Sequence, residues 1–93
     1  MKIRINVTKR DIRDGDRCNE SECAISLAIQ RRLKPAFRKW CIVFHDIRID
    51  DLITKPWVHK LPQVVDNWRS RFDAKKPVRP LQFFVDIPDR FLI

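Results

Sequence analysis

Ile3, Ile5 and Val7 alternate with Lys2, Arg4 and Asn6, and this period of two predicts a half-buried strand over residues 2–7. Thr8, with Asp11 three residues on, is placed to cap one short helical turn that Asp14-Gly15 then stops. Residues 14–22 are polar and predict a loop. Asn19 and Glu22 have the spacing of a capping box and open a helix over residues 20–33, with Ala24, Ile25, Leu27, Ala28 and Ile29 as its apolar face. Glu20 and Glu22 in its first turn and Arg31, Arg32 and Lys34 in its last suit the helix dipole, and Pro35 ends it. Residues 38–44 are β-branched and aromatic and predict a strand. Ile47 and Ile49, with Leu52 extending the pattern, predict another, joined to it by a tight turn at His45-Asp46. Residues 54–60 read as a loop.

From Pro62, Val64, Val65, Trp68 and Phe72 fall on one helical stripe, opposite Asp66, Asn67, Arg69, Ser70, Arg71 and Asp73. Leu81, Phe83, Val85 and Ile87 alternate in a last strand that Pro88 closes. The order is β-α-β-β-α-β, an α+β class. Ninety-three residues suffice for a single domain over 1–93. The packing this order predicts is a ferredoxin-like split βαβ: a four-stranded, mainly antiparallel sheet with two helices on one face. Ile3, Ile5, Trp40, Ile42, Phe44, Leu81, Phe83 and Val85 would then point inward, and Lys2, Arg4, Asn6, Cys41, Val43, Arg48, Gln82 and Phe84 outward.

Several short signatures run through this pattern. Val-Thr-x-x-Asp-Ile-x-x-Gly covers residues 7–15 and Cys-x-Ile-x-Leu-Ala-Ile-x-Arg covers 23–31. Leu61-Pro62-x-x-Val65-x-x-Trp68, Phe72-Asp73, Pro80-Leu81-x-Phe83 and Ile87-Pro88 follow. Together they resemble small uncharacterised proteins of bacteriophage, prophage and actinobacterial genomes. The resemblance spans most of the chain. It departs at Ala24, where that pattern has proline after the cysteine, and in a longer, more basic segment at 31–39. It implies a mobile-element origin without an assigned activity. Its motifs are packing signatures, so no functional residue is carried over.

Composition narrows the classes. A single glycine, Gly15, excludes collagen-like chains and the Gly-rich loops that cradle nucleotide phosphates. Hydrophobic content of 44% is enough for a packed interior. The N-terminus has no apolar h-region, and the longest apolar run, Trp40 to Phe44, is far short of a bilayer span. An odd number of cysteines (Cys18, Cys23 and Cys41) favours reduced thiols and a cytoplasmic protein, in the host cell if phage-encoded. The starting Met and the internally complete pattern predict a whole protein.

The charge is uneven. Lys and Arg number 20 against 12 Asp and Glu, a net charge of +8. Residues 1–45 hold eleven basic and five acidic groups, residues 46–93 nine and seven. Residues 24–45 contain Arg31, Arg32, Lys34, Arg38 and Lys39 and no acid at all. A second cluster, Arg69, Arg71 and Lys75, sits at the end of the later helix.

Cys18, Cys23, Cys41 and His45, with His59 in reserve, are the residue types of a zinc site. Their spacing lacks the tight pairs such sites use, and a buried-thiol reading fits better, so no metal or cofactor is expected. Cys41, His45 and Asp46 lie along one hairpin rather than converging, and no hydrolase motif is present, so an enzyme is not expected. The expected function is nucleic-acid binding, DNA or RNA, through phosphate contacts of Arg31, Arg32, Lys34, Arg38 and Lys39 first, and of Arg69, Arg71 and Lys75 second. The outward sheet face, basic groups around Phe84, is a second candidate surface. Two alternatives stand beside it: a host-protein inhibitor of the host-takeover or anti-defence kind, and a homodimer built by sheet stacking through Val43 and Phe84.

Overall fold

The computed structural model describes residues 2–51 and 55–93. Strand β1 (Lys2–Val7) leads into α1 (Lys9–Asp14), which Thr8 and Asp11 cap reciprocally as the sequence predicts. Gly15 ends α1 against the start of α2 (Ala24–Gln30); a Cβ on it would stand 2.6 Å from the Ala24 backbone nitrogen, so only glycine fits. A short turn of helix, α3 (Pro35–Arg38), precedes β2 (Cys41–Val43), β3 (Asp46–Ile49) and β4 (Trp57–Lys60). Helix α4 (Gln63–Asp73) and strand β5 (Leu81–Asp86) follow, and a 3-10 turn at Asp89–Phe91 closes the chain.

The strands form two antiparallel sheets, β1–β5 and β2–β3–β4. α2 packs on both β1 and β2, and its Ala24, Ile25, Ala28 and Ile29 join a single core with Ile5, Val7, Val43, Ile47, Ile49, Phe72 and Phe91. The α+β class with antiparallel sheets holds. Among the described residues the four-stranded ferredoxin-like sheet does not form, and the physical reason lies at the outer edge of β1. Where a third strand would pair, Arg32 donates to the Arg4 carbonyl at 2.8 Å and Arg31 to the Asn6 carbonyl at 3.0 Å. Side chains occupy the edge that a strand would need.

Other expectations shift locally. The helix placed at 20–33 begins only at Ala24, because the Asn19 side chain accepts the N–H groups of Ser21 and Glu22 in a turn, while Cys23 Sγ accepts from the Ser26 N–H. Pro35 does not merely stop that helix; it is the first residue of α3. Residues 57–60, read as a loop, are β4, whose pairing with β3 makes the three-stranded sheet. The phase of β2 is also reversed: Cys41 and Val43 are buried, and Phe44 is 48% exposed. On α4, Val64 is exposed and Arg69 is buried, opposite to the expected stripe. Leu52 lies outside the described residues.

Candidate nucleic-acid interface

The alternation that buries Ile3, Ile5 and Val7 leaves Lys2, Arg4 and Asn6 exposed, and in β5 it buries Phe83 and Val85 while Gln82, Phe84 and Asp86 face solvent. Antiparallel register sets these six groups in three rows: Lys2 opposite Asp86, Arg4 opposite Phe84, and Asn6 opposite Gln82. Phe84 is 63% exposed in the middle row. The outer face of this ribbon is therefore a polar surface of two cations, one acid and two amides around one aromatic ring.

Arg31 and Arg32 border it. The residues after the last turn of α2 run beside the ribbon, and Leu33 bridges to Leu92, which fixes their position. Arg31 is aimed by Asp11. Its Nη1 and Nη2 each donate to that carboxylate at 2.9 Å, while the Thr8 backbone N–H donates to it at 2.9 Å and the Thr8 hydroxyl at 3.1 Å. Burial pushes the Asp11 pKa up, but the Arg31 bonds, then Thr8, outweigh it and hold the carboxyl below its usual value. With 51% of its side chain exposed, Arg31 still presents a cation. Between this edge and the C-terminal segment lies a cleft of about 540 Å³, lined by Ile3, Arg31, Arg32, Asp89, Leu92 and Ile93.

The remaining basic residues divide. Lys34 is exposed, and its backbone N–H is bonded to the Phe91 carbonyl at 2.8 Å, at the C-terminal turn. Arg38 is half-buried and donates to the Leu33 carbonyl at 3.1 Å. Lys39 lies 5.3 Å from the Trp40 ring in a different, open cleft of about 800 Å³, shared with Arg17, Asn19 and Asp50. Arg71 donates to the Pro77 carbonyl at 3.3 Å, and Lys75 takes the left-handed backbone (φ 61°) that ends α4. Arg69 is inside the fold, held by Asp66 and Asp73.

The two basic clusters do not merge. Arg31, Arg32 and Lys34 follow the C-terminal end of α2. The end of α4 is tied instead to residues before its start, through Asp73 and the Cys18 N–H. Seven residues of helix, roughly 10 Å, lie between the two ends.

Sequence reasoning named the outward residues of β1 and β5 but could not place Arg31 and Arg32 beside them. The organising residue it missed is Asp11. The only signal in the sequence was the Thr8–Asp11 capping spacing; that the same carboxylate is buried and holds an arginine 20 residues away is seen only in the fold.

Cys23 and Cys41 are buried and Cys18 is exposed. Burial raises the Cys23 thiol and pushes Cys41 up to about 12, so both stay protonated at neutral pH. His45 pairs with Asp66 at 3.2 Å rather than with a thiol. Among the described residues no group of three or more His, Cys, Asp or Glu side chains could hold a metal ion. No helix among them is long and apolar enough to cross a membrane. Comparison with protein-family models, curated proteins and solved structures finds no match to this chain.

Proposed function

We propose that this chain is a small non-enzymatic protein that binds nucleic acid through phosphate contacts, in keeping with the mobile-element pattern its sequence resembles, and that it acts in the cytoplasm. One observation supports this above the others: Arg31 and Arg32 are bonded to the edge of the same ribbon whose open face carries Lys2 and Arg4. Basic groups on a face and along its border are suited to a chain of phosphates. Lys34 follows Arg31 and Arg32 in the chain, next to the C-terminal turn, and Lys39, Arg71 and Lys75 contact other parts of the fold.

Mobility-shift titration on single- and double-stranded DNA and RNA tests the reading. Binding is expected at about 50 mM salt and weakens as salt rises, with a log–log slope of roughly −0.9 per phosphate neutralised. Absence of binding to every nucleic acid at micromolar protein overturns it.

A protein partner is the second reading, favoured by the outer face of β2–β3–β4, where Phe44 is 48% and Val58 52% exposed beside Ile42. A partner retained after nuclease treatment and lost in Phe44→Ser would support it. A twofold mass in light scattering, abolished by the same substitution, would identify that partner as a second copy.

A further inference from the structure

We infer that the outer face of the β1–β5 ribbon is a reader of double-stranded DNA that enters the major groove. This rests on the nucleic-acid reading above and narrows it to one kind of nucleic acid. The shape comes first. The ribbon has only two strands, roughly 4.8 Å apart, and a B-DNA major groove about 12 Å wide admits such a ribbon with its side chains. A wider sheet would not enter, and among the described residues β1 pairs with β5 alone, because Arg31 and Arg32 bond to its other edge.

The chemistry of the face agrees. Of its six outward side chains, five carry hydrogen-bonding groups, and they are the types that distinguish base edges in that groove. Arginine and lysine donate to guanine O6 and N7. Asparagine and glutamine both donate to and accept from adenine. A phenylalanine ring packs against the thymine methyl group. Asn6 and Gln82 stand directly opposite each other, next to the Arg4–Phe84 row. Successive outward rows are two residues apart, about 6.8 Å, which is the rise of about two base pairs. Three rows then span about five base pairs. At the border, Arg31 and Arg32 lie where the flanking phosphates of the groove wall would pass, and the duplex carries a charge every 1.7 Å or so. Asp86 is the one acid on the face, and it sits in the end row across from Lys2. A single-strand platform needs successive aromatic rings for stacking, and this face has Phe84 alone.

The test uses the whole chain with a randomised 12-base-pair DNA duplex, the corresponding single-stranded pool and an RNA duplex of equal length. Duplex DNA should bind at least about tenfold tighter than either of the others, because the A-form major groove is too narrow for side chains to read. Selection from the pool should enrich a motif of about five base pairs. Asn6→Ala and Gln82→Ala should each flatten positions of that motif, by roughly five- to a hundredfold in discrimination, without changing the salt slope. Arg32→Ala should reduce the salt slope by about one and leave the motif intact. All three positions are exposed, so an unchanged melting temperature and circular dichroism spectrum verify folding. Equal or tighter binding to single strands or to the RNA duplex overturns the major-groove inference while the phosphate-binding reading stands. Duplex binding without an enriched motif does the same. No binding to any pool overturns both.

Discussion

Arg69 and Arg31 each hold carboxylates on a neighbouring turn or helix, in opposite surroundings. Arg69 has 6% of its side chain exposed; it bridges Asp66 and Asp73 along α4 and lies 4.6 Å from the Phe44 ring. Asp66 in turn takes His45, and Asp73 accepts the Cys18 N–H, so this one guanidinium ties α4 to the β2–β3 turn and to the loop before α2. Arg31 makes a comparable bidentate pair with Asp11 but keeps half its side chain in solvent. By formal charge the two are equal contributors to a basic protein. In the fold, the first is a structural bolt, and the second is a bolt that still faces outward. A count of basic residues therefore overstates the surface available to an anion.

Arg69→Ala should produce the largest effect. It leaves Asp66 and Asp73 without their shared cation, and breaking one side of a buried ion pair costs about 3–5 kcal/mol, a large part of a small domain's stability. Guanidinium denaturation measures it. The same change should expose Cys23, which lines a cavity of about 120 Å³ with Arg69, Asp73 and Phe44. Thiol labelling of the native protein at pH 8 should modify Cys18 alone in the wild type and add Cys23 rapidly in the variant. A loss below about 1 kcal/mol with unchanged labelling would erase the distinction between the two arginines.

The Arg31–Asp11 pair should rank second. Asp11→Asn should cost about 1–2 kcal/mol, less than the buried case because solvent screens half of Arg31. Its pH dependence sharpens the point. Asp11 has a folded pKa below its unfolded value, so its contribution is complete above about pH 4 and is lost as pH falls through the depressed folded value. Asp66 behaves alike: burial raises its pKa, but Arg69 and then His45 bring it down further. Thermal melting should therefore show an acid-side loss of stability that is smaller in Asp11→Asn than in the wild type. Parallel curves for the two proteins would mean that Asp11 titrates alike in the folded and unfolded chain.

These pairs also show what could be read from the chain alone. Asp66, Arg69 and Asp73 are spaced i,i+3 and i,i+4, so their contacts are legible once α4 is placed. Val65, Trp68 and Phe72 of the expected stripe do face the core; that Arg69 joins them is not legible there, because an arginine matched by two acids can be buried at low cost. β1 and β5 were clear because polar and apolar residues alternate strictly. β2 was found, but its phase was not: Trp40, Cys41, Ile42, Val43 and Phe44 are all apolar, and such a run has no sidedness. β4 follows Pro56 and carries the burial pattern of an edge strand, exposed nearly throughout, so nothing in its composition separates it from a loop. The β1 edge is the deepest omission. Its two guanidiniums come from residues more than twenty positions away, and local pattern does not register a side chain standing in for a strand.

The smallest stability effect should come from Arg32, and it is the one that separates architecture from function. Arg32 contacts the ribbon through one bond to the Arg4 carbonyl and is exposed. Its removal to alanine leaves that carbonyl open to water rather than buried, so the change should stay within about 0.5 kcal/mol. Its binding effect should be comparable to that of Arg31→Ala, since both guanidiniums border the same face. Arg31→Ala should lose both stability and affinity; Arg32→Ala should lose affinity alone. If both variants keep wild-type affinity across salt, the border contacts no phosphate, and Arg31 and Arg32 are there only to close the edge of the sheet.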